Sequence, residues 1–173
     1  MKLQKAREIA EYYVHELKPF CEKVEIAGSI RREKPEVKDI EICCVPKTYT
    51  EQIGMFDSDP VRIHQFVDYV NDFTRIRGNG KGKYVRAILR EQIDLDLFIT
   101  TPEQWGVIFL IRTGSAEYSK NVVTKIKDNG FWVEDGWLNK KSDKTQETKI
   151  PVYEEKDFYE ITGLQYIEPK LRL

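Results

Sequence analysis

Four acidic residues occur in two pairs whose spacing fits a shared site. Asp39 and Glu41 lie two residues apart among apolar residues, and Asp94 and Asp96 repeat this arrangement further along the chain. Because alternate side chains of a strand leave the same face, each pair would project from one face of a sheet. Carboxylates so close together repel one another unless a cation lies between them. Oxygen ligands without His or Cys favour Mg²⁺ or Mn²⁺, and two such ions can activate a hydroxyl and stabilise a leaving phosphate.

The same acids have a simpler interpretation as the solvent face of an antiparallel sheet, where charges are common. The residues that precede Asp39 favour the chemical interpretation. Gly28 and Ser29 predict a turn with free backbone N–H groups and a hydroxyl, and Arg31 and Arg32 can pair with phosphate oxygens. Neither motif is specific alone, but their combination is.

The periodicity of the sequence predicts the elements that position these residues. Strands are predicted where apolar and polar residues alternate, at 24–27, 40–44 and 93–99. Helices are predicted at 3–17, from Pro102 to Thr113, and from 116 to a stop at Gly130. The remainder predicts short strands and one helix near 154–160. This order of elements is typical of an α+β protein with a second module that begins near residue 114.

The segments between the two acidic pairs carry turn signals. The polar residues 47–59 predict a loop, and Pro60 after Asp59 predicts the first turn of a helix with Phe66 on its inner face. A glycine-rich turn is predicted at 77–82, inside a stretch from 75 to 90 that contains six basic residues and no acid. This stretch predicts a hairpin that can follow a DNA backbone, or simply a solvated turn.

Composition limits the function classes. The chain of 173 residues has 28 basic and 29 acidic side chains, a net charge of −1, so an anionic partner must be met locally. The sequence contains neither an apolar run long enough to span a bilayer nor a secretory signal, so we expect no membrane partner. Cys21, Cys43 and Cys44 make no disulfide framework, and we expect buried thiols in a reducing, intracellular, cytoplasmic setting.

Three blocks of sequence together carry more information than any single motif. The first is the Gly-Ser-x-Arg-Arg turn at 28–32 followed by Asp39-Ile-Glu41, and the second is Asp96 followed by residues 112–121. The third runs from Glu155 to Lys170. In this combination the chain resembles the family-X, or beta-like, DNA polymerases of the nucleotidyltransferase superfamily, over nearly its whole length.

The resemblance implies a two-part α+β architecture. Residues 1–113 would form a nucleotidyltransferase palm, a mixed sheet flanked by helices, and residues 114–173 a small α+β thumb. The layout is similar to that of compact viral members with only a palm and a thumb. Because the chain starts at the first palm helix, we expect neither the lyase domain nor the additional DNA-binding helices of larger relatives.

The resemblance also implies roles for the acidic residues. Asp39, Glu41 and Asp96 would be the catalytic residues and would hold two Mg²⁺ ions, for which Mn²⁺ can substitute. Asp96 is preferred to Asp94 because its separation from Thr113 matches the family spacing, and Asp94 remains the alternative. Glu41 stands where the family usually has a second Asp, and its longer side chain is still compatible with a bridging ligand.

Nucleotide and DNA contacts are implied in the same way. The nucleotide-binding residues would be Gly28, Ser29, Arg32, Thr113, Gly114, Ser115 and Ser119. The DNA-binding residues would be Lys81, Lys83 and Arg86 from the basic hairpin, together with Lys120. Ile111 and Arg112 replace the usual aromatic residues before Thr-Gly-Ser, and Val123 replaces an Arg that often contacts the template. These departures leave sugar discrimination open and favour low fidelity.

The function that the resemblance implies is that of a minimal template-directed DNA polymerase. It would add deoxynucleotides to a primer 3′-end of gapped or primed duplex DNA, release pyrophosphate and fill gaps in repair, as a monomer. One alternative is a template-independent nucleotidyltransferase that acts on RNA ends, a protein or a small molecule. Another is a non-enzymatic binder of DNA ends with a decayed site. The thumb-like tail after Gly130 favours the polymerase.

Overall fold

The computed structural model describes residues 1–52, 58–143 and 146–173. The helices are α1 Leu3–Leu17, α2 Gly28–Arg31, α3 His64–Asn71, α4 Trp105–Thr113, α5 Ala116–Lys125 and α6 Glu155–Thr162. The strands are β1 Cys21–Ile26, β2 Asp39–Pro46, β3 Thr48–Gln52, β4 Ser58–Arg62, β5 Thr74–Gly78, β6 Tyr84–Ile88, β7 Asp94–Ile99, β8 Phe131–Glu134, β9 Trp137–Asp143 and β10 Gln146–Ile150. Short 3₁₀ turns extend α1 and α5 and precede α4.

A five-stranded mixed sheet forms the first half of the molecule. Its strands follow the order β1-β2-β7-β6-β5, in which β2 and β7 are parallel and the other neighbours are antiparallel. The central position of β2 and β7 matters because these are the two strands that carry the acidic pairs.

One face of this sheet is covered by α1 and α3. The apolar residues of the central strands, with Ile42 and Leu97 among them, pack there against Leu17 of α1 and Phe66 of α3. These side chains are almost completely buried. Since successive residues of a strand alternate between faces, burial of this set directs the acidic residues to the opposite face.

The opposite face is covered in part by α4. Trp105 and Phe109 of α4 pack on Cys43 and Phe98 of the central strands, while Leu110 packs into a separate core. That second core is built from α5, α6 and the antiparallel sheet β10-β9-β8. Helix α4 is therefore shared between the sheet that carries the acids and the carboxyl-terminal half.

Most of the predicted elements are confirmed. The predicted helices at 3–17 and 102–113, the predicted strand at 93–99 and the helical stop at Gly130, which has a left-handed φ of 80°, are all present. The three cysteines are free and buried, as expected. No helix in the described ranges is both long and apolar enough to cross a membrane.

Two predictions for residues 47–62 are wrong. The predicted loop contains β3 and β4, which pair as antiparallel strands with Tyr49 opposite Val61, while residues 53–57 lie outside the described ranges. The helix predicted from Pro60 begins at His64, and Pro60 belongs to β4. A two-stranded sheet consists only of edges, so it tolerates a proline within a strand.

Strands β5 and β6 form the hairpin that is predicted for residues 75–90, although no alternation marks β5 itself as a strand. All five of its residues are exposed, so the sequence shows no alternation between buried and exposed positions there.

Candidate active site

The register of β2 and β7 brings the two acidic pairs together on one face of the sheet. Asp39 lies opposite Asp94, and Glu41 lies opposite Asp96. Asp96 is buried and the other three are partly exposed. In a parallel pair, residues in register project from the same face, so four carboxylates share one patch next to α2 and α4.

The electrostatics of this patch show an excess of negative charge. Burial and repulsion from Asp39 raise the pKa of Glu41 to about 7, against the opposing effect of Arg32. Burial and repulsion from Asp96 raise the pKa of Asp39, against the effect of Arg86. Carboxyl groups whose ionised form is disfavoured in this way, and which lie together, are typical of sites that receive a cation or a proton.

Helix α2 is fitted closely over Glu41. Gly28 follows β1 with φ of +60°, and a Cβ atom on it would lie 1.7 Å from Oε2 of Glu41. The backbone N–H of Ser29 donates a hydrogen bond to the same carboxylate. Only glycine combines this backbone conformation with so close an approach, so the Gly-Ser turn directly positions an acid of the patch.

The same turn presents polar atoms that make no hydrogen bond with the described residues. The hydroxyl of Ser29 and Nε of Arg32 are buried without a hydrogen bond to any described residue. The Nη1 of Arg32 donates to the carbonyl of Thr113 at the end of α4. Buried donors are normally satisfied, so unpaired donors beside an acidic patch indicate a place for a ligand with acceptor oxygens.

The Thr-Gly-Ser segment links α4 to α5 beside this turn. Thr113 is fully buried, and the hydroxyl of Ser115 caps α5 by accepting a bond from the N–H of Tyr118 at 3.0 Å. The Ser119 hydroxyl donates to the carbonyl of Ile111 at 2.8 Å and thus fastens α5 to α4. A Cβ on Gly114 would lie 2.6 Å from that hydroxyl, so the turn is tightly packed.

A buried ion network joins α2 to the carboxyl-terminal half. Arg31 donates from Nη1 and Nη2 to the two oxygens of Glu155 at 2.8 and 2.9 Å, and from Nη1 to the hydroxyl of Thr113 at 2.7 Å. Arg172, whose side chain is fully buried, also donates to Glu155. Helix α2, the end of α4 and the first turn of α6 therefore share one cluster of charge-assisted hydrogen bonds.

The two arginines of this network stabilise the ionised form of its carboxylate. Burial alone would raise the pKa of Glu155, but the hydrogen bonds from Arg31 and Arg172 outweigh it and the pKa is lowered. The Arg172 guanidinium lies 5.4 to 5.8 Å from the ring centres of Tyr118, Tyr159 and Tyr166. The network is a structural junction, since its carboxylate is held in the ionised form, in contrast to Glu41.

Two side chains of β6 contact the acids of β7. The Tyr84 hydroxyl donates to Oδ1 of Asp96 at 2.5 Å, and Nη2 of Arg86 donates to Oδ2 of Asp94 at 2.6 Å. Arg86 is predicted above as a DNA-binding residue, and the structure places it in the acidic patch, paired with Asp94. The remaining basic residues of that set, Lys81, Lys83 and Lys120, are exposed.

The hairpin between β5 and β6 is held at its tip by Arg62 of β4. The guanidinium donates from Nη1 to the carbonyls of Gly80 and Gly82, each at 2.7 Å. Lys81 and Lys83 flank these anchored carbonyls and are open to solvent, as a phosphate contact requires.

The acidic patch fits a divalent cation by its donor chemistry. Asp39, Glu41 and Asp96 supply only carboxylate oxygens, the ligands of Mg²⁺ and Mn²⁺, and added positive charge would relieve the repulsion that raises two of their pKa values. The side chains are not closed into a cage: among the residues described, no three His, Cys, Asp or Glu are arranged to hold a metal ion. Binding would therefore draw these carboxylates together.

Sequence reasoning missed Tyr84 and the Arg31–Glu155–Arg172 network as parts of the site. Tyr84 could have been suspected, because an antiparallel strand that ends just before Asp94 brings it near the acids. Arg31 is 124 residues from Glu155, and no local pattern joins the two.

Comparison with known proteins finds a match for the carboxyl-terminal part of the chain. Residues 108–173 match the family model of the DNA polymerase beta thumb, from within α4 to the last residue. The match covers less than half of the chain and supports a likeness to the thumb of family-X DNA polymerases, a domain that binds DNA. No curated protein matches the chain.

Proposed function

We propose that the chain is a minimal template-directed DNA polymerase that adds deoxynucleotides to a primer 3′-end and releases pyrophosphate. The supporting observation is the position of the acidic patch, which lies in register on β2 and β7 beside a turn with unpaired donors and is attached through α4 to a beta-type thumb. Phosphoryl transfer depends mainly on positioning and on neutralising charge. The acidic patch, the turn and the thumb could together supply both.

The acidic side chains would hold two Mg²⁺ ions. Asp39 and Glu41 would serve both ions, and Asp96 would serve one ion and take part in deprotonating the primer 3′-hydroxyl. When bound, the ions would activate this hydroxyl and stabilise the charge on the leaving pyrophosphate. The raised pKa of Glu41 is consistent with this role, because the group is poorly compensated in the free protein.

The Gly-Ser turn would receive the β- and γ-phosphates of the nucleotide. The Ser29 hydroxyl and the Arg32 guanidinium are the donors that remain for this contact, and Gly28 brings the turn close to Glu41. Thr113, Gly114 and Ser115 would line the sugar side, where Arg112 lies 4.2 Å from the ring centre of Phe98. An arginine in place of an aromatic residue there would relax sugar discrimination.

Gapped duplex DNA is the substrate that we propose. Lys81, Lys83 and Lys120 would contact phosphates, and a chain of net charge −1 needs such local contacts because its overall field does not attract DNA. Filling of short repair gaps, at low fidelity, would be the cellular role.

Extension of a gapped duplex with each nucleotide supplied singly, with and without Mg²⁺, tests this proposal. We expect incorporation that follows the template base, requires Mg²⁺ and falls by at least about a thousandfold in Asp39→Asn and Asp96→Asn. Asp68→Asn, which changes an exposed acid on α3, is the matched control and should extend normally. Incorporation that ignores the template would favour a template-independent transferase, and binding of DNA ends without pyrophosphate release would favour the non-enzymatic alternative.

A further inference from the structure

The two aspartates of β7 have different partners on the neighbouring strand β6. Asp94 meets a cation: Arg86 donates from Nη2 to Oδ2 at 2.6 Å. Asp96 meets a neutral donor: the Tyr84 hydroxyl donates to Oδ1 at 2.5 Å, while Nη1 of Arg86 remains 3.7 Å from Oδ2. The acids therefore differ in their direct hydrogen-bond donor, although Arg86 lies close enough to pair with both.

The position of Tyr84 is itself fixed. Its ring stacks on Phe98, with ring centres 5.3 Å apart and planes at 29°, and the Arg112 guanidinium lies 4.2 Å from the centre of the Phe98 ring. Residues Tyr84 and Phe98 are opposite each other in the β6–β7 ladder. The ring contact and the strand pairing thus hold the phenol of Tyr84 in place. Its hydroxyl contacts the carboxylate of Asp96, which lies two residues before Phe98 on β7.

The two contacts have different consequences for a cation. An ion pair cancels the charge of Asp94, whose side chain is 35% exposed. A neutral hydroxyl orients Asp96, whose side chain is only 12% exposed, and Arg86 offsets the charge of Asp96 only from the longer distance of 3.7 Å. Hydrogen-bond donors of this kind fix the orientation of carboxylates that bind metals.

We propose that Tyr84 is a positioning residue for the metal-binding carboxylate Asp96, and that Arg86 reserves Asp94 as a structural counter-ion. In this arrangement the side chains of β6 determine which aspartate of β7 binds the metal ion. The inference rests on the proposed function, because it assumes that the acidic patch binds divalent cations.

Titration with Mn²⁺, in which free Mn²⁺ is measured by electron paramagnetic resonance without DNA or nucleotide, tests the inference. We expect Tyr84→Phe to weaken Mn²⁺ binding about tenfold, because the ring stays and only the donor is lost. The thermal unfolding midpoint should stay near that of the wild type. Tyr12→Phe is the matched control, since the Tyr12 hydroxyl is exposed and makes no hydrogen bond with the described residues, and it should bind Mn²⁺ normally.

A double variant tests the role of Asp94. The pair Asp94→Asn with Arg86→Gln removes one charge of each sign, so net charge is unchanged, and Mn²⁺ affinity should stay within about threefold of the wild type. Asp96→Asn should lose most of the affinity.

The contrary outcomes are distinct. If Tyr84→Phe binds Mn²⁺ with wild-type affinity, the positioning role of Tyr84 is wrong. If the double variant binds Mn²⁺ as weakly as Asp96→Asn, the different roles of Asp94 and Asp96 are wrong. A wild-type chain that binds no Mn²⁺, or an Asp96→Asn variant that binds it fully, overturns the metal site of the proposed function and this inference with it.

Discussion

Glu41 and Glu155 are both largely enclosed by protein, yet their surroundings are electrostatically opposite. Glu41 faces Asp39 and Asp96, and its pKa is raised to about 7. Glu155 faces Arg31 and Arg172, and its pKa is lowered. Both side chains lose solvent, so the difference comes from the charges around them.

This contrast separates a candidate site from a structural junction. A carboxylate whose charge is matched by two arginines holds elements together, whereas a group of carboxylates without enough compensation is unfavourable until a ligand arrives. Helix α2 serves both regions through neighbouring residues: Arg31 pairs with Glu155, while Arg32 lies near Glu41 and contacts the end of α4.

The largest effect on stability should follow from breaking the matched region. Glu155→Gln leaves Arg31 and Arg172 without their shared counter-ion, so we expect a loss of about 3 kcal/mol in the free energy of unfolding. Urea denaturation at pH 7 measures it. Glu160→Gln is the control, because Glu160 is exposed on the same helix and its replacement should cost less than about 1 kcal/mol. Equal stability in the two variants would contradict the assignment of the junction.

The largest effect on activity short of removing an acid should follow from Gly28→Ala. The added Cβ would collide with the Glu41 carboxylate, and displacing this group should slow primer extension by about a hundredfold or more. Gly130→Ala is the control: Gly130 also has a positive φ, but a Cβ there meets nothing within 4 Å, so only stability should fall. Comparable rates in both variants would show that the close fit over Glu41 is unimportant.

The smallest effect is a pH dependence of stability that belongs to Glu41. Because its folded-state pKa is raised, the native protein retains a proton that the unfolded chain has lost, and stability falls as the pH rises from about 4.5 to about 7. Glu41→Gln should flatten this slope in denaturation curves measured with EDTA. Glu155, with a lowered pKa, contributes stability that is lost only as the pH falls below about 4.5. An unchanged slope in Glu41→Gln would contradict the account of the patch.

Much of the central sheet could be predicted from the sequence. In the first halves of β2 and β7 apolar residues alternate with acids, so alternation marks both the strands and the side on which Asp39 and Asp96 lie. Alternation does not predict which strands pair with each other. The parallel register that sets Glu41 opposite Asp96 depends on packing across more than 50 residues of intervening chain.

The parts that escaped prediction share a physical reason. Strand β5 is exposed throughout, and β3 and β4 have an almost wholly polar sequence, so neither region leaves a periodic signal. Tyr84 and Glu155 gain their roles from partners that lie far away in the sequence or across a strand pair. Such contacts become visible only when the elements are assembled.

Anomalous diffraction at the manganese edge, from crystals of the wild-type chain soaked in MnCl₂, tests the central claim most directly. The account predicts an anomalous peak within ligand distance of the carboxylates of Asp39, Glu41 and Asp96, with Asp94 still paired to Arg86. Data that show no peak at the acidic patch, or Mn²⁺ bound elsewhere while the patch stays unchanged, would contradict it.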